Sequence, residues 1–255
     1  MRNLIWLIEI GNSSISVARK SGRDAVLMKV FRSNDIPLLA SFIMKSGSKS
    51  SNKVIISSVS PKTSNFLINR LNSFKNCSCL EIGKDIRFRI ESKYFKYNKL
   101  GLDRKINAFG ALKILKPPFL IFDFGTATTI DYISPKGVFE GGLICPGIDT
   151  SLECMSRSTA LLPRPGLKRI RCLAGRSTAE GMLAGVLQGY GAMVDGLTDR
   201  FRREFGVPHI KTVATGGLVD IISGYCRKFY HQDRLLTLRS MAWIYEEWLN
   251  AGNGK

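Results

Sequence analysis

The stretch LIFDFGTATTIDYISPKGVFEGGLICPG, Leu120 to Gly147, carries a short apolar run, an acid, a glycine turn and a second run leaving that turn. Leu120, Ile121 and Phe122 are few enough for a buried strand. Asp123 follows where a half-buried carboxylate is costly unless a cation or hydrogen-bond donors meet it. Taken alone, Asp123 is either a turn-capping acid or part of a phosphate-handling hairpin, and the segment does not choose between the two.

A second copy shifts that balance. Near the N-terminus, LIEIGNSSISVARKSG, Leu7 to Gly22, can be laid under the first stretch so that Glu9 falls under Asp123, Gly11 under Gly125 and Asn12 under Thr126. Glycine lets a backbone approach a ligand closely, and Asn, Ser and Thr present neutral donors to phosphate oxygens. The two acids suit a metal or monovalent cation held against a nucleotide. Two such hairpins facing one another would clamp a nucleotide from both sides.

Composition sets the outer bounds. The 255 residues are comfortable for two domains, and 44% of them are hydrophobic, enough for real cores. A formal net charge of +18 attracts anions in general without selecting among them. Its Lys and Arg are scattered, with modest clusters at Lys168, Arg169 and Arg171 and at Arg200, Arg202 and Arg203, a pattern that favours a solvated surface over a nucleic-acid footprint. The six cysteines fall at spacings that fit neither a disulfide framework nor a zinc finger, Cys77 and Cys79 forming a lone C-x-C. The apolar run Leu4 to Ile10 is broken by Glu9 and too short for a signal core, and no stretch approaches a membrane span, so the expected location is the cytoplasm.

Strands and helices alternate along the chain. Leu4–Ile10, Ser14–Lys20 and Val26–Phe31 read as strands, and Ile36, Leu39, Phe42 and Ile43 as one face of a helix tolerating Pro37 in its first turn. A polar loop is expected at Ser46–Lys53, a short strand at Val54–Ser57, and a helix capped by Ser60 with Pro61 at its first position. Leu102, Ile106, Phe109, Leu112 and Leu115 follow helical spacing, placing Gly101–Arg104 at a helix start where Asp103 is either a dipole-favoured cap or a proton acceptor, with Arg104 beside it to grip an anion. Pro117 and Pro118 are the linker candidate, giving domains 1–117 and 118–255. Ser177-Thr178-Ala179-Glu180 is a capping box opening a long helix, whose Gly181, Ala184, Gly185, Gly189 and Ala192 imply another backbone packed closely, from this chain or from a second subunit. Thr212–Gly217, TVATGG, is a strand running into glycines, and Leu236–Leu249 a closing helix. His209 and His231 are the only histidines, too few for metal-histidine or serine-triad chemistry.

In this order, EIGNS at Glu9–Ser13, Tyr94, GLDR at Gly101–Arg104, DFGTATTID at Asp123–Asp131, GGLICPG at Gly141–Gly147, ALLP at Ala160–Pro163 and TGG at Thr215–Gly217 resemble the type III pantothenate kinases of the actin-like superfamily. The resemblance implies an α/β fold of two actin-like, ribonuclease H-like domains with a nucleotide cleft between them. It implies phosphorylation of pantothenate by ATP as the first step toward coenzyme A. Residue by residue, it makes Asp103 the proton acceptor, with Tyr94, Gly101, Leu102, Arg104 and Thr178 at pantothenate. Glu9, Ile10, Gly11, Asn12, Ser13, Ser14, Ile15 and Ser16 receive the phosphates, Glu9 with magnesium; Thr126 contacts ATP, and Asp123 binds a monovalent cation, potassium or ammonium. A homodimer through the long helix is also implied.

Two positions depart from the family pattern. Glu9 stands where Asp is usual, and the extra methylene moves the carboxylate by about 1.5 Å, a carbon–carbon bond length; magnesium tolerates little distortion. Tyr97 stands where proline is common. Two alternatives to an active kinase follow. One is a catalytically weakened relative in a regulatory or accessory role. The other, ranked last, is a nucleic-acid-binding module, which gains nothing from paired hairpins.

Overall fold

The computed structural model of the chain describes residues 4–46 and 51–253. Its first sheet is built from β1 (Leu4–Ile10), β2 (Ser14–Ser21), β3 (Asp24–Arg32), β4 (Asn52–Ser58) and β5 (Cys77–Glu81), in the spatial order β3-β2-β1-β4-β5. The first three strands are antiparallel neighbours joined by tight turns, whereas β4 runs parallel to both β1 and β5. The parallel pairings need crossovers, supplied by α1 (Ile36–Ser46) and α2 (Pro61–Asn72). Trp6, Ile8 and Ile10 alternate on β1 toward Leu39 and Ile43 of α1 and Leu67 and Leu71 of α2, forming one buried core. The indole of Trp6 inside that core donates to Asn52 Oδ1 at 3.0 Å, so its polar edge is satisfied.

Lys53 and Asn52, read from sequence as the end of a polar loop, belong to β4; Gly47 to Ser50 lie outside the described residues. Strand β5 was not expected, because CSCLE shows no alternation and its residues are only partly buried at a sheet edge.

The second sheet repeats the plan. β6 (Phe119–Phe124), β7 (Ala127–Ile133), β8 (Phe139–Pro146), β9 (Lys211–Thr215) and β10 (His231–Gln232) take the order β8-β7-β6-β9-β10, with β6, β7 and β8 antiparallel and β9 parallel to both β6 and β10. Strand by strand this matches β3-β2-β1-β4-β5. Its core sets Leu120, Phe122 and Phe124 against Ile148 and Leu152 of α4 (Ile148–Ser158) and Leu183 and Leu187 of α5 (Thr178–Glu204). Helix α4 also went unread in the sequence, although Ile148, Leu152 and Met155 carry helical spacing; the glycines before it masked the start.

Ser177 caps α5 by accepting the N–H of Glu180 at 3.3 Å, and the Glu180 carboxylate returns to the N–H of Arg176 at 2.9 Å. The reciprocal box therefore closes one residue earlier than the usual pattern. Of the α5 glycines, Gly191 is packed onto the Tyr225 carbonyl, where a Cβ would come within 2.2 Å. Gly181, Gly185 and Gly189 face open space in this chain.

Contacts divide the chain into one unit of Met1–Ile90, Asn98–Gly110 and Leu235–Lys255 and another of Glu91–Tyr97 and Ala111–Arg234. This differs from a single cut after residue 117: the division falls inside α3 (Leu102–Ile114), and, following the short α6 (Val219–Ile222), helix α7 (Leu236–Trp248) packs on β1, β3 and β4. Ion pairs at the surface mark the same return, Lys20 to Glu246 at 2.7 Å and Arg239 to Asp24 at 2.8 Å, the latter holding the Asp24 carboxyl below its ordinary range. The Arg239–Asp24 pair, its carboxylate exposed, is worth at most about 1 kcal/mol, whereas Lys20 and Glu246 are partly buried and add charge to the packing that holds α7. Gly110 makes that packing close, since a Cβ there would sit 1.7 Å from Ser240 Oγ. Thr237 donates to Asn107 Oδ1 at 2.8 Å in the same buried seam.

Candidate active site

In the first unit the candidate residues lie on the β1–β2 turn and at the start of α3. Glu9 is half-buried near the end of β1, in register with Ser16 on β2 and Ser57 on β4. Gly11 donates its N–H to the Ser14 carbonyl at 2.9 Å, and Ser33 N–H reaches the Ser13 carbonyl at 3.2 Å. Asn12, Ser13 and Ser14 are exposed at the tip. The side chains of Ile10 and Ile15 point into the core, so only their backbone can meet a ligand. Ser57, buried beside Glu9, was not foreseen; its only signal is a strand register that sequence does not print.

At the start of α3, Asp103 is half-buried and its Oδ1 accepts the N–H of Arg104 at 2.8 Å. A Cβ on Gly101 would lie 2.6 Å from that oxygen, which explains a glycine two residues before the acid. Leu102 packs over Gly83, and Arg104 is buried. Lys105, also missed from sequence, is half-buried beside Asp103: burial pushes its ammonium pKa down while the Asp103 charge acts in the opposite sense.

In the second unit Asp123 is half-buried at the end of β6, in register with Thr129 on β7 and Thr215 on β9. Gly216, at φ +95°, passes so close that a Cβ would fall 2.5 Å from Asp123 Oδ1 and 2.6 Å from Phe124 N. On the other side of the turn Gly147 lies against Gly125 and Thr126, a Cβ there meeting the Thr126 carbonyl at 2.3 Å. The TGG and CPG segments are thus two walls of one Asp123-Gly125-Thr126 site. Thr215 Oγ1 is fully buried in this wall and has no hydrogen-bond partner, a costly state that a bound cation or water would relieve. Among the described residues no three His, Cys, Asp or Glu side chains gather as a metal cluster, so a cation beside Asp123 would need neutral oxygens as well. That donor set fits a hard, weakly demanding ion.

Thr178, exposed, opens α5. Tyr94 stacks edge-on against Phe139 with centroids 6.2 Å apart, and Phe139 is in register with Ile133 and through it with Phe119, the opposite end of β6 from Asp123. Four residues of strand span roughly 13 Å. The structure therefore groups Asp123, Gly125 and Thr126 in this unit and leaves Tyr94 away from them.

Residues 5–200 match the family model for type III pantothenate kinase. The type III pantothenate kinase of Myxococcus xanthus is 36% identical over 192 residues, covering 75% of each chain, and that of Caulobacter vibrioides 35% identical over 201 residues, covering 78% of this chain and 77% of its own. The chain belongs to the type III pantothenate kinase family. Among solved structures, a Campylobacter jejuni protein described as a conserved Baf family transcriptional activator aligns with TM-score 0.62 at 22% identity over 96% of this chain and 99% of its own. A non-polymerisable ParM mutant aligns with TM-score 0.50 at 10% identity, over 96% of this chain and all of its own. At such identities the likeness speaks for the fold alone, and that fold is actin-like in both halves of this type III pantothenate kinase relative. The family match ends at residue 200, so Gly216 and Thr215 enter the site on geometry and not on the match.

Proposed function

We propose that the chain transfers the γ-phosphoryl group of ATP to the primary hydroxyl of pantothenate, giving 4'-phosphopantothenate for coenzyme A synthesis. Family membership supports this reading, and the braced turn of Asp123, Gly125 and Thr126 carries it into the geometry. Phosphoryl transfer needs positioned groups and neutralised charge more than covalent chemistry.

In this reading the pantothenate oxygen attacks the γ-phosphorus as the bond to the β,γ-bridging oxygen breaks, and Asp103 takes the hydroxyl proton. Arg104 pairs with the substrate's carboxylate, while Tyr94, Gly101, Leu102 and Thr178 line pantothenate. Asn12, Ser13, Ser14 and Ser16, with the backbone of Ile10, Gly11 and Ile15, receive phosphate oxygens, and Thr126 contacts ATP. Glu9 is the residue for magnesium and Asp123, with Thr215, for potassium or ammonium; when bound, these ions supply neutralising charge along the triphosphate. The net charge of +18 favours capture of two anionic substrates. The open side of α5 at Gly181, Gly185 and Gly189 supports a second copy packing there as a homodimer. The cytoplasm is the compartment that fits this chemistry; among the described residues no helix is long and apolar enough to cross a membrane.

A coupled assay of ADP release tests the assignment of the base. Asp103→Asn should abolish pantothenate-dependent turnover with circular dichroism and melting temperature unchanged; near wild-type turnover removes Asp103 from that role.

A further inference from the structure

We infer that Thr150 and Tyr190 are positioning residues that set the Thr126 turn for ATP, an inference that rests on the reading of Thr126 as an ATP contact. The Thr126 carbonyl accepts two hydrogen bonds from the start of α4, the N–H of Gly147 at 3.0 Å and the Thr150 hydroxyl at 2.8 Å. A carbonyl oxygen has two lone pairs, so both are used. The peptide plane after Thr126 then cannot rotate, and an oxygen that would repel a phosphate is held against α4.

The helix start is fixed in turn from α5. Tyr190 donates its phenol proton to the Pro146 carbonyl and shares a hydrogen bond with Ser151 Oγ at 3.1 Å. Pro146 and Ser151 flank the Gly147-to-Thr150 stretch that grips Thr126, so one phenol holds both ends of the clamp. A phenol is protonated and able to donate at neutral pH, and burial moves the Tyr190 pKa further up. The clamp is separate from the packing of α4, which Ile148 and Leu152 provide from the buried face while Thr150 stays exposed. Removing the Thr150 hydroxyl should therefore loosen the turn and spare the fold.

The test uses the full chain, with ATP binding followed by calorimetry and with separate KM values for ATP and pantothenate. A lost hydrogen bond of about 1 kcal/mol predicts a roughly three- to tenfold rise in both the Kd and the KM for ATP in Thr150→Val. The pantothenate KM should stay at its wild-type value, the melting temperature should fall by no more than a few degrees, and Thr150→Ser should restore ATP affinity. Tyr190→Phe should shift ATP affinity in the same direction. Wild-type ATP affinity in both Thr150→Val and Tyr190→Phe overturns the inference, as does an equal rise in both KM values together with a melting temperature lowered far beyond a few degrees. Wild-type protein that binds no ATP would instead remove the underlying reading of Thr126, and the inference with it.

Discussion

Between the paired residues Ile10 and Ile15 the first hairpin turns through Gly11, Asn12, Ser13 and Ser14, whereas the second needs only Gly125, Thr126 and Ala127 between Phe124 and Thr128. The longer turn carries the longer acid, Glu9, and its exposed tip is tied by two backbone bonds, from Gly11 to Ser14 and from Ser33 to Ser13. The shorter turn carries Asp123 and is walled by Gly147 and Thr150 on one side and Gly216 on the other. The two halves thus share strand order and direction but differ in how closely neighbouring backbone approaches the acid. Gly216 pressed onto Asp123 and Phe124 leaves that acid little room for displacement, whereas a Cβ on Gly11 would meet only the Ser14 carbonyl.

The strongest way to break this comparison is to add one carbon to each side. Gly216→Ala puts a Cβ 2.5 Å from Asp123 Oδ1 and 2.6 Å from the Phe124 backbone at a φ of +95°, so overpacking and backbone strain together predict a loss of about 3 kcal/mol in urea unfolding. Gly11→Ala meets only the Ser14 carbonyl at 3.2 Å and should cost under about 1 kcal/mol. Equal losses would mean that the two turns are equally braced. Exchanging the acids sharpens the same point through activity. Glu9→Asp should keep or raise kcat/KM, because the first turn can follow the shorter side chain. Asp123→Glu should lower it on the order of a hundredfold, since a misplacement near 1 Å in a rigid site costs about that much. A large loss in Glu9→Asp would show a backbone built for the longer acid.

The smallest effect is expected at Thr215. If its buried hydroxyl meets a cation beside Asp123, Thr215→Val should abolish the extra melting temperature that potassium gives over an equal concentration of choline. In choline alone the variant should be as stable as wild type or more so, because an isosteric methyl replaces an unsatisfied hydroxyl. An unchanged potassium response removes Thr215 from the cation site.

Much of this was legible because strands and helices write their period into the sequence. Leu4–Ile10, Phe119–Phe124 and the 102–114 helix were read within a residue or two, and the paired acid-glycine turns came from matching one stretch to another. Ser57 and Thr150 were not legible, and the TGG motif at Thr215–Gly217 did not reveal its place beside Asp123, since each matters through a register or a close approach between segments far apart in the chain. The contact division departs from a cut after Pro117 for a related reason: nothing in the apolar face of Leu236–Trp248 says which sheet it will cover. His231–Gln232 is too short to carry any alternation at all.

That closing helix also bears on how the molecule is made. The sheet that leaves the ribosome first has α1 and α2 at once, but α7 reaches it only after the whole second sheet has been made. Until then the seam around Asn107 and Gly110 lacks its cover, and a nascent chain would hold an exposed surface there while the second sheet is made. The sheet translated second, whose helices all come from residues 111–234, can close first. For this protein the order of synthesis and the order of completion run in opposite directions.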